Sequence, residues 1–228
     1  MYKYDQMSHA HQYDLWDHSL HTVYNLLETF SIKDGDIRNM LYLGAFLHDI
    51  GKPSCRVPDK KGRTDENGNL NHFHYYGHAA MGAKIVDEFT LCNKNIDIDH
   101  NQRCLLHFFI THHDDELSLK PSSISHIANA IKKEVPDKYD NEEVFDSLIR
   151  LELADAQAHV ISAHKKIRDR VTMCKFLRSD LGRGIFRYIN KNGCNGMGKI
   201  TSIKTPEILL SSSNWLEDMQ ILKDLLTT

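Results

Sequence analysis

Histidine and aspartate recur along this chain in an order that suits metal ligation: His18, the adjacent pair His48-Asp49, His78, the doublet His112-His113, and Asp155. Imidazole nitrogen and carboxylate oxygen are the mixed donors that octahedral transition-metal sites use, and a carboxylate can bridge to a second metal close by. The pair His48-Asp49 closes an apolar run, Leu41 to Leu47, and is followed by Ile50-Gly51-Lys52-Pro53. A helix therefore carries the pair inward and ends there. A neutral imidazole and an ionised carboxylate are costly to bury alone, and a divalent cation is a partner for both. Asp49 is the bridging candidate. The cysteines Cys55, Cys92, Cys104, Cys174 and Cys194 are widely spaced and form no Cys-x-x-Cys. That spacing argues against a disulfide framework and against a tetrahedral structural zinc.

The elements that must position these residues are helical. Apolar residues recur at three- and four-residue steps, as in Leu20, Val23, Leu27 and Phe30, or Leu105, Phe108 and Phe109. The pattern predicts helices near Asp14–Phe30, Asp36–Asp49, Gly77–Phe89, Ile98–His113, Ser122–Glu134 and Asn141–Phe176, the last with room for a break. No alternating strand pattern stands out. The fold class is all-α, a bundle, and five of its helices supply the His and Asp series, as bundles do when they build metal centres in their cores. Between Pro53 and Tyr76 runs a long polar stretch with Lys60, Lys61, Gly62, Arg63 and Gly68. Its position after His48-Asp49 and before His78 suits a lid or substrate loop. The tail from Leu181 to Ser213 is rich in Gly, Asn and Ser, and Trp215 to Leu226 reads as a short amphipathic helix.

With 228 residues, 41% of them hydrophobic and 26% charged, the chain can bury one substantial core. No stretch approaches a membrane span and no basic-then-apolar leader opens the chain, so the expected location is cytoplasmic and no membrane partner is expected. The net charge of −3 conceals an asymmetry. From Lys165 to Lys204 eleven Lys and Arg face two Asp, leaving about −12 on the remainder. This basic segment is a candidate phosphate-facing surface. A nearly neutral whole argues against strong nonspecific duplex binding, so small or single-stranded substrates fit better. Residues Gly193 to Lys199 match the start of a phosphate-binding P-loop, but Ile200 stands where a hydroxyl must hold magnesium, and the match is rejected.

Five pieces, in this order, resemble the HD-domain metal-dependent phosphohydrolase superfamily over residues 13 to 159. They are Tyr-Asp-Leu-Trp-Asp-His18-Ser-Leu-His-Thr-Val, Gly-Ala-Phe-Leu-His48-Asp49-Ile-Gly-Lys52-Pro, Tyr-Gly-His78-Ala-Ala-Met-Gly-Ala, Ile-Thr-His112-His113-Asp and Leu-Ala-Asp155-Ala-Gln-Ala. The first and third look most like the HD region of bacterial tRNA nucleotidyltransferases, without their nucleotide-adding head. The second and fourth look like HD-GYP cyclic dinucleotide phosphodiesterases and stand-alone HD nucleotide hydrolases, without the Gly-Tyr-Pro signature. The expected organisation is a single HD-type helical domain over residues 1–180, followed by an extension, 181–228, packed on it.

The resemblance further implies one or two divalent metals, drawn from Mn, Fe, Ni, Co and Zn, with Mg as a further candidate. His18, His48, Asp49 and Asp155 would hold one. Asp49, His78 and one or both of His112 and His113 would hold the second, since neighbours on a helix diverge by about 100°. The implied reaction is hydrolysis, by metal-bound hydroxide, of a phosphoester in a nucleotide or a short single-stranded nucleic acid. Lys52 would contact substrate phosphate with Arg56 and Lys60 beside it, and His113, where it is not a ligand, would shuttle the leaving-group proton. His72 and His74 are alternatives to His78, while His21 and His159 lie about one turn from His18 and Asp155. His11 attracts no functional reading. A minority of the superfamily uses the same ligands in di-iron oxygenases, which is the competing class.

Overall fold

The computed structural model describes residues 1–7, 11–26, 32–93, 95–115, 117–118, 120–159 and 165–194. Among these, eight helices form the bundle: α1 Leu15–Asn25, α2 Gly35–Leu47, α3 His78–Cys92, α4 His100–His112, α5 Pro121–Glu134, α6 Asn141–Ala158, α7 Lys165–Leu177 and α8 Asp180–Asn192. Their starts follow local chemistry. Asp14, Asp34, Asp99, Asp140 and Ser179 each cap a helix by accepting a backbone N–H, and Asp99 closes a reciprocal capping box with Gln102. Pro121 opens α5 at a position where its missing N–H costs nothing.

Helix α6 is the axis of the bundle. Val144, Phe145, Leu148, Ile149 and Leu151 are fully buried, and the helix contacts α1, α2, α4, α5, α7 and α8. A helix apolar on so many faces has to be enclosed by others. Phe108 and Phe109 of α4 and Leu41 of α2 fill the same core. The expected helix over 141–176 is divided: α6 ends at Ala158 and α7 begins at Lys165, with 160–164 outside the described residues.

One helix, α8, falls where the composition suggests an irregular tail. Its glycines mislead. A Cβ on Gly182 would lie 2.4 Å from the Phe176 carbonyl oxygen, so this glycine serves close packing against the end of α7. Phe186 stacks on Phe145 at 4.0 Å, binding α8 to the core. The boundary expected at residue 180 therefore coincides with the first residue of a packed helix. Residues 195–228, including the helix expected at Trp215–Leu226, lie outside the described residues.

The polar stretch after Pro53 is an ordered excursion. A turn of 3-10 helix, Lys52–Cys55, leads into β1, Val57–Pro58, which pairs antiparallel with β2, Phe73–His74, and Thr64 bridges Leu70 further out. Asp65 ties its tip by accepting from the amides of Asn67 and Asn69. The pairing was not visible as alternation because it is only two residues long. No helix among the described residues is long and apolar enough to cross a membrane.

Candidate metal centre

Asp49, just past the end of α2, stands at the middle of the cluster. Its Oδ2 lies 3.1 Å from His48 Nε2 and 3.5 Å from His18 Nε2, whereas its Oδ1 lies 3.1 Å from His78 Nε2 and 3.6 Å from His113 Nε2. Asp155, on α6, adds Oδ1 at 2.9 Å from His18 Nε2 and 3.6 Å from His48 Nε2. One carboxylate oxygen thus faces each of two imidazole pairs. All of these residues are buried except His78, which is nearly so.

Local structure aims each ring. The Nδ1 atoms of His48, His78 and His113 lie 2.8 Å from the carbonyl oxygens of Ala45, Tyr75 and Ile110. A carbonyl can only accept, so each Nδ1 carries the proton and each Nε2 turns a lone pair inward, the tautomer a metal ligand needs. His78 can do this because Gly77, at φ +75°, turns the chain abruptly into α3. The turn holding Asp49 reaches the start of α3 because residue 51 is glycine.

Two observations test whether a cation suits this arrangement. His78 Nε2 and His113 Nε2 approach to 3.2 Å, and with both protons on Nδ1 two lone pairs face one another. His18 Nδ1 and His48 Nε2 are buried and make no hydrogen bond. Such groups are costly to bury without a shared positive charge. The electrostatics agree. Burial opposes ionisation of Asp49, but His48 and Lys52 hold its carboxyl well below the usual range; His159 and Arg170 do the same for Asp155. Burial likewise opposes the charged form of His48, yet Asp49 and Asp155 push its ring up to about 10. The donor set calls for positive charge and fits a divalent cation.

The family then follows from the chain itself. Residues 15–156 match the model of the HD domain. The chain belongs to the HD-domain family. Membership implies the metal-dependent hydrolase superfamily, and the HD domain here carries buried His and Asp groups where a divalent metal can be held. No curated protein and no solved structure matches the chain significantly.

Some expected residues lie elsewhere in this HD domain. His112 faces away from Asp49: its Nδ1 meets Asp115 Oδ2 at 2.6 Å and its Nε2 meets Glu134 Oε2 at 3.0 Å. The 100° step between neighbours on α4 separates it from His113. Arg56 is turned toward the N-terminal segment, donating to Met7 Sδ and lying 3.8 Å over the Phe73 ring, and Lys60 is exposed on the excursion. Neither lines the cavity of about 460 Å³ beside the centre. Lys52 does, with Nζ 2.5 Å from Asp49 Oδ2, 2.8 Å from Gln6 Oε1 and 3.2 Å from His11 Nε2. His74 also lines it but pairs with Asp59, while His21 stacks on Tyr13 away from the centre.

Arg170 escaped individual notice. Its Nη1 donates to Asp155 Oδ2 at 2.9 Å and its Nη2 to the His113 carbonyl at 2.6 Å, so one guanidinium joins α7 to both halves of the centre. Only the basic character of the segment beginning at Lys165 hinted at it. His159 donates from Nδ1 to the Asp155 carbonyl and its ring lies 4.4 Å from His11, which nothing in local spacing associates with the site.

Glu152, one turn before Asp155, is fully buried and neither carboxylate oxygen is hydrogen-bonded, although Arg170 Nε lies 3.5 Å away. Burial raises its carboxyl well above the usual range despite Arg170, whose Nη1 and Nη2 donate to Asp155 and to the His113 carbonyl. A raised folded-state pKa contributes stability that is full below the unfolded value, about 4.3, and is lost as pH rises through the folded value. Glu152→Gln keeps the shape and cannot ionise. We expect it to exceed the wild type in urea stability at pH 8 by at least about 1 kcal/mol, with the difference vanishing near pH 4.

Proposed function

We propose that this HD domain is a two-metal phosphohydrolase acting on a nucleotide or a short nucleotide-containing ester. The observation that carries the reading is Asp49, whose two oxygens divide between two sets of imidazole nitrogens. His18, His48, Asp49 and Asp155 would hold one metal; Asp49, His78 and His113 would hold the other. A bound divalent metal supplies Lewis-acid polarisation of a phosphoryl oxygen and a water acidified toward neutral pH.

The chain's own groups account for the remaining demands. Lys52, Lys166 and Arg170 line the adjoining cavity and bring positive charge to a phosphate there. His113 has its Nδ1 proton on the Ile110 carbonyl and its Nε2 toward Asp49, which suits ligation and not proton transfer. The proton for the leaving oxygen is better supplied by His159, which lines the cavity and whose Nδ1 is held by Asp155.

Elemental analysis of the purified protein, combined with a phosphoester screen in added Mn, Co, Ni or Mg, tests this. About two metals per chain with nucleotide hydrolysis is the expected result. Iron with no hydrolysis would instead indicate a di-iron oxygenase, and no bound metal would remove the ligand set on which the reading depends.

A further inference from the structure

Beside the cavity at the metal centre lies a second, of about 380 Å³, in the cleft between α6, α7 and the segment after His113. Asp114, His159, Lys166 and Arg170 line both, so the two adjoin. Their chemistry differs. Five histidines, Lys52 and the carboxylates of Asp49 and Asp155 line the first. The second has an apolar floor of Leu117, Ala156, Ile167 and Met173, and its polar lining beyond the shared His159, Lys166 and Arg170 is acidic: Asp114, Asp115, Glu152 and Asp169. Asp115 pairs with His112, and Asp169 pairs with the exposed Lys165.

Such a division sorts the two ends of a substrate. A phosphate belongs at the junction, where Lys166 and Arg170 adjoin the Asp49 cluster. Whatever extends past it meets apolar surface and carboxylates, which accept hydrogen bonds from N–H and O–H groups and repel a second phosphate. The volume lies within the range of about 300–1,000 Å³ typical of small-ligand pockets.

Resting on the hydrolase reading above, we infer that the cleft between α6 and α7 receives the organic half of the substrate, an uncharged nucleoside. The substrate class is then nucleoside monophosphates, in preference to nucleoside diphosphates, triphosphates or dinucleotides. The reaction is hydrolysis of a phosphomonoester: water oxygen bonds to phosphorus, the phosphorus–ester oxygen bond breaks, and the leaving oxygen takes a proton to give the nucleoside and inorganic phosphate. The exposed Tyr76 in the first cavity, stacked on His74, offers a rival platform for a base. The cleft is favoured because it is the more enclosed and the more apolar.

The test compares wild type, Ile167→Trp, which fills the cleft, Asp169→Lys, which reverses a wall charge, and Tyr76→Ala. Ile167→Trp should lower kcat/KM for nucleoside monophosphates by at least about tenfold and leave glycerol phosphate within about twofold. Asp169→Lys should raise the ratio of diphosphate to monophosphate kcat/KM by about tenfold. Saturation-transfer NMR with adenosine should show ring contacts in wild type and in Asp49→Ala, and none in Ile167→Trp. Loss on both esters alike in Ile167→Trp, equal use of diphosphates by wild type, or loss of adenosine contacts only in Tyr76→Ala would overturn the assignment while leaving the hydrolase reading intact. Failure of wild type to release phosphate from any ester would overturn both.

Discussion

Asp49→Asn is expected to abolish metal retention and hydrolysis together while leaving the bundle folded. The amide has the shape of the carboxylate, so packing at the end of α2 is preserved. It loses the negative charge that faces His18, His48 and Lys52 on one side and His78 and His113 on the other. It also turns an N–H2 group toward one of these imidazole pairs, where a donor replaces an acceptor. Partners one shell out from a metal commonly cost about 10–100-fold when removed, and a residue shared by both halves of the centre should exceed the upper figure in kcat/KM. Elemental analysis and the phosphate-release assay measure the two losses; circular dichroism checks the fold. Unchanged metal content in the variant would show that Asp49 is not the shared ligand.

Gly51→Ala should be almost as damaging, through packing instead of charge. Gly51 has an ordinary helical φ of −77°, so no backbone strain requires glycine. Space does. A Cβ would stand 2.2 Å from the His78 carbonyl oxygen and 2.6 Å from the Gly82 amide nitrogen, both backbone atoms that no rotamer change can move. The start of α3 must retreat from the Asp49–Lys52 turn. Overpacking of this kind costs about 1–3 kcal/mol, readable as a lower urea midpoint. The retreat separates His78 from Asp49, and a misplacement near 1 Å at a reacting centre costs about 100-fold in rate. Normal stability with normal activity would mean that the Gly51–Gly82 contact is looser than the structure shows.

His18, His48-Asp49, His78 and Asp155 stand out before any coordinates because His and Asp recur in the order of the five pieces that resemble the HD superfamily, and His48-Asp49 also closes an apolar run. Lys52 is legible in the same way, one turn past Asp49 within the second piece. Arg56 and Lys60 were placed by nearness in sequence, but the chain after Lys52 turns away into the paired excursion and carries both from the cavity. Helix α8 was hidden because its packing glycine, Gly182, has the same composition signal as a loop glycine.

Helix type, caps and the order of the His and Asp residues are local properties, written in periods of three and four residues and in the residues at helix ends. Which of His112 and His113 faces the centre depends on the rotation of α4 against α2 and α6, a quantity no local pattern contains. The same holds for Arg170, which reaches Asp155 and the His113 carbonyl only once α7 packs on α6, and for His11, which meets Lys52 across 41 residues of sequence. Donor identity is a property of residue type, whereas convergence on Asp49 is a property of helix packing, because only the packed core brings together groups more than a hundred residues apart, as His18 and Asp155 are.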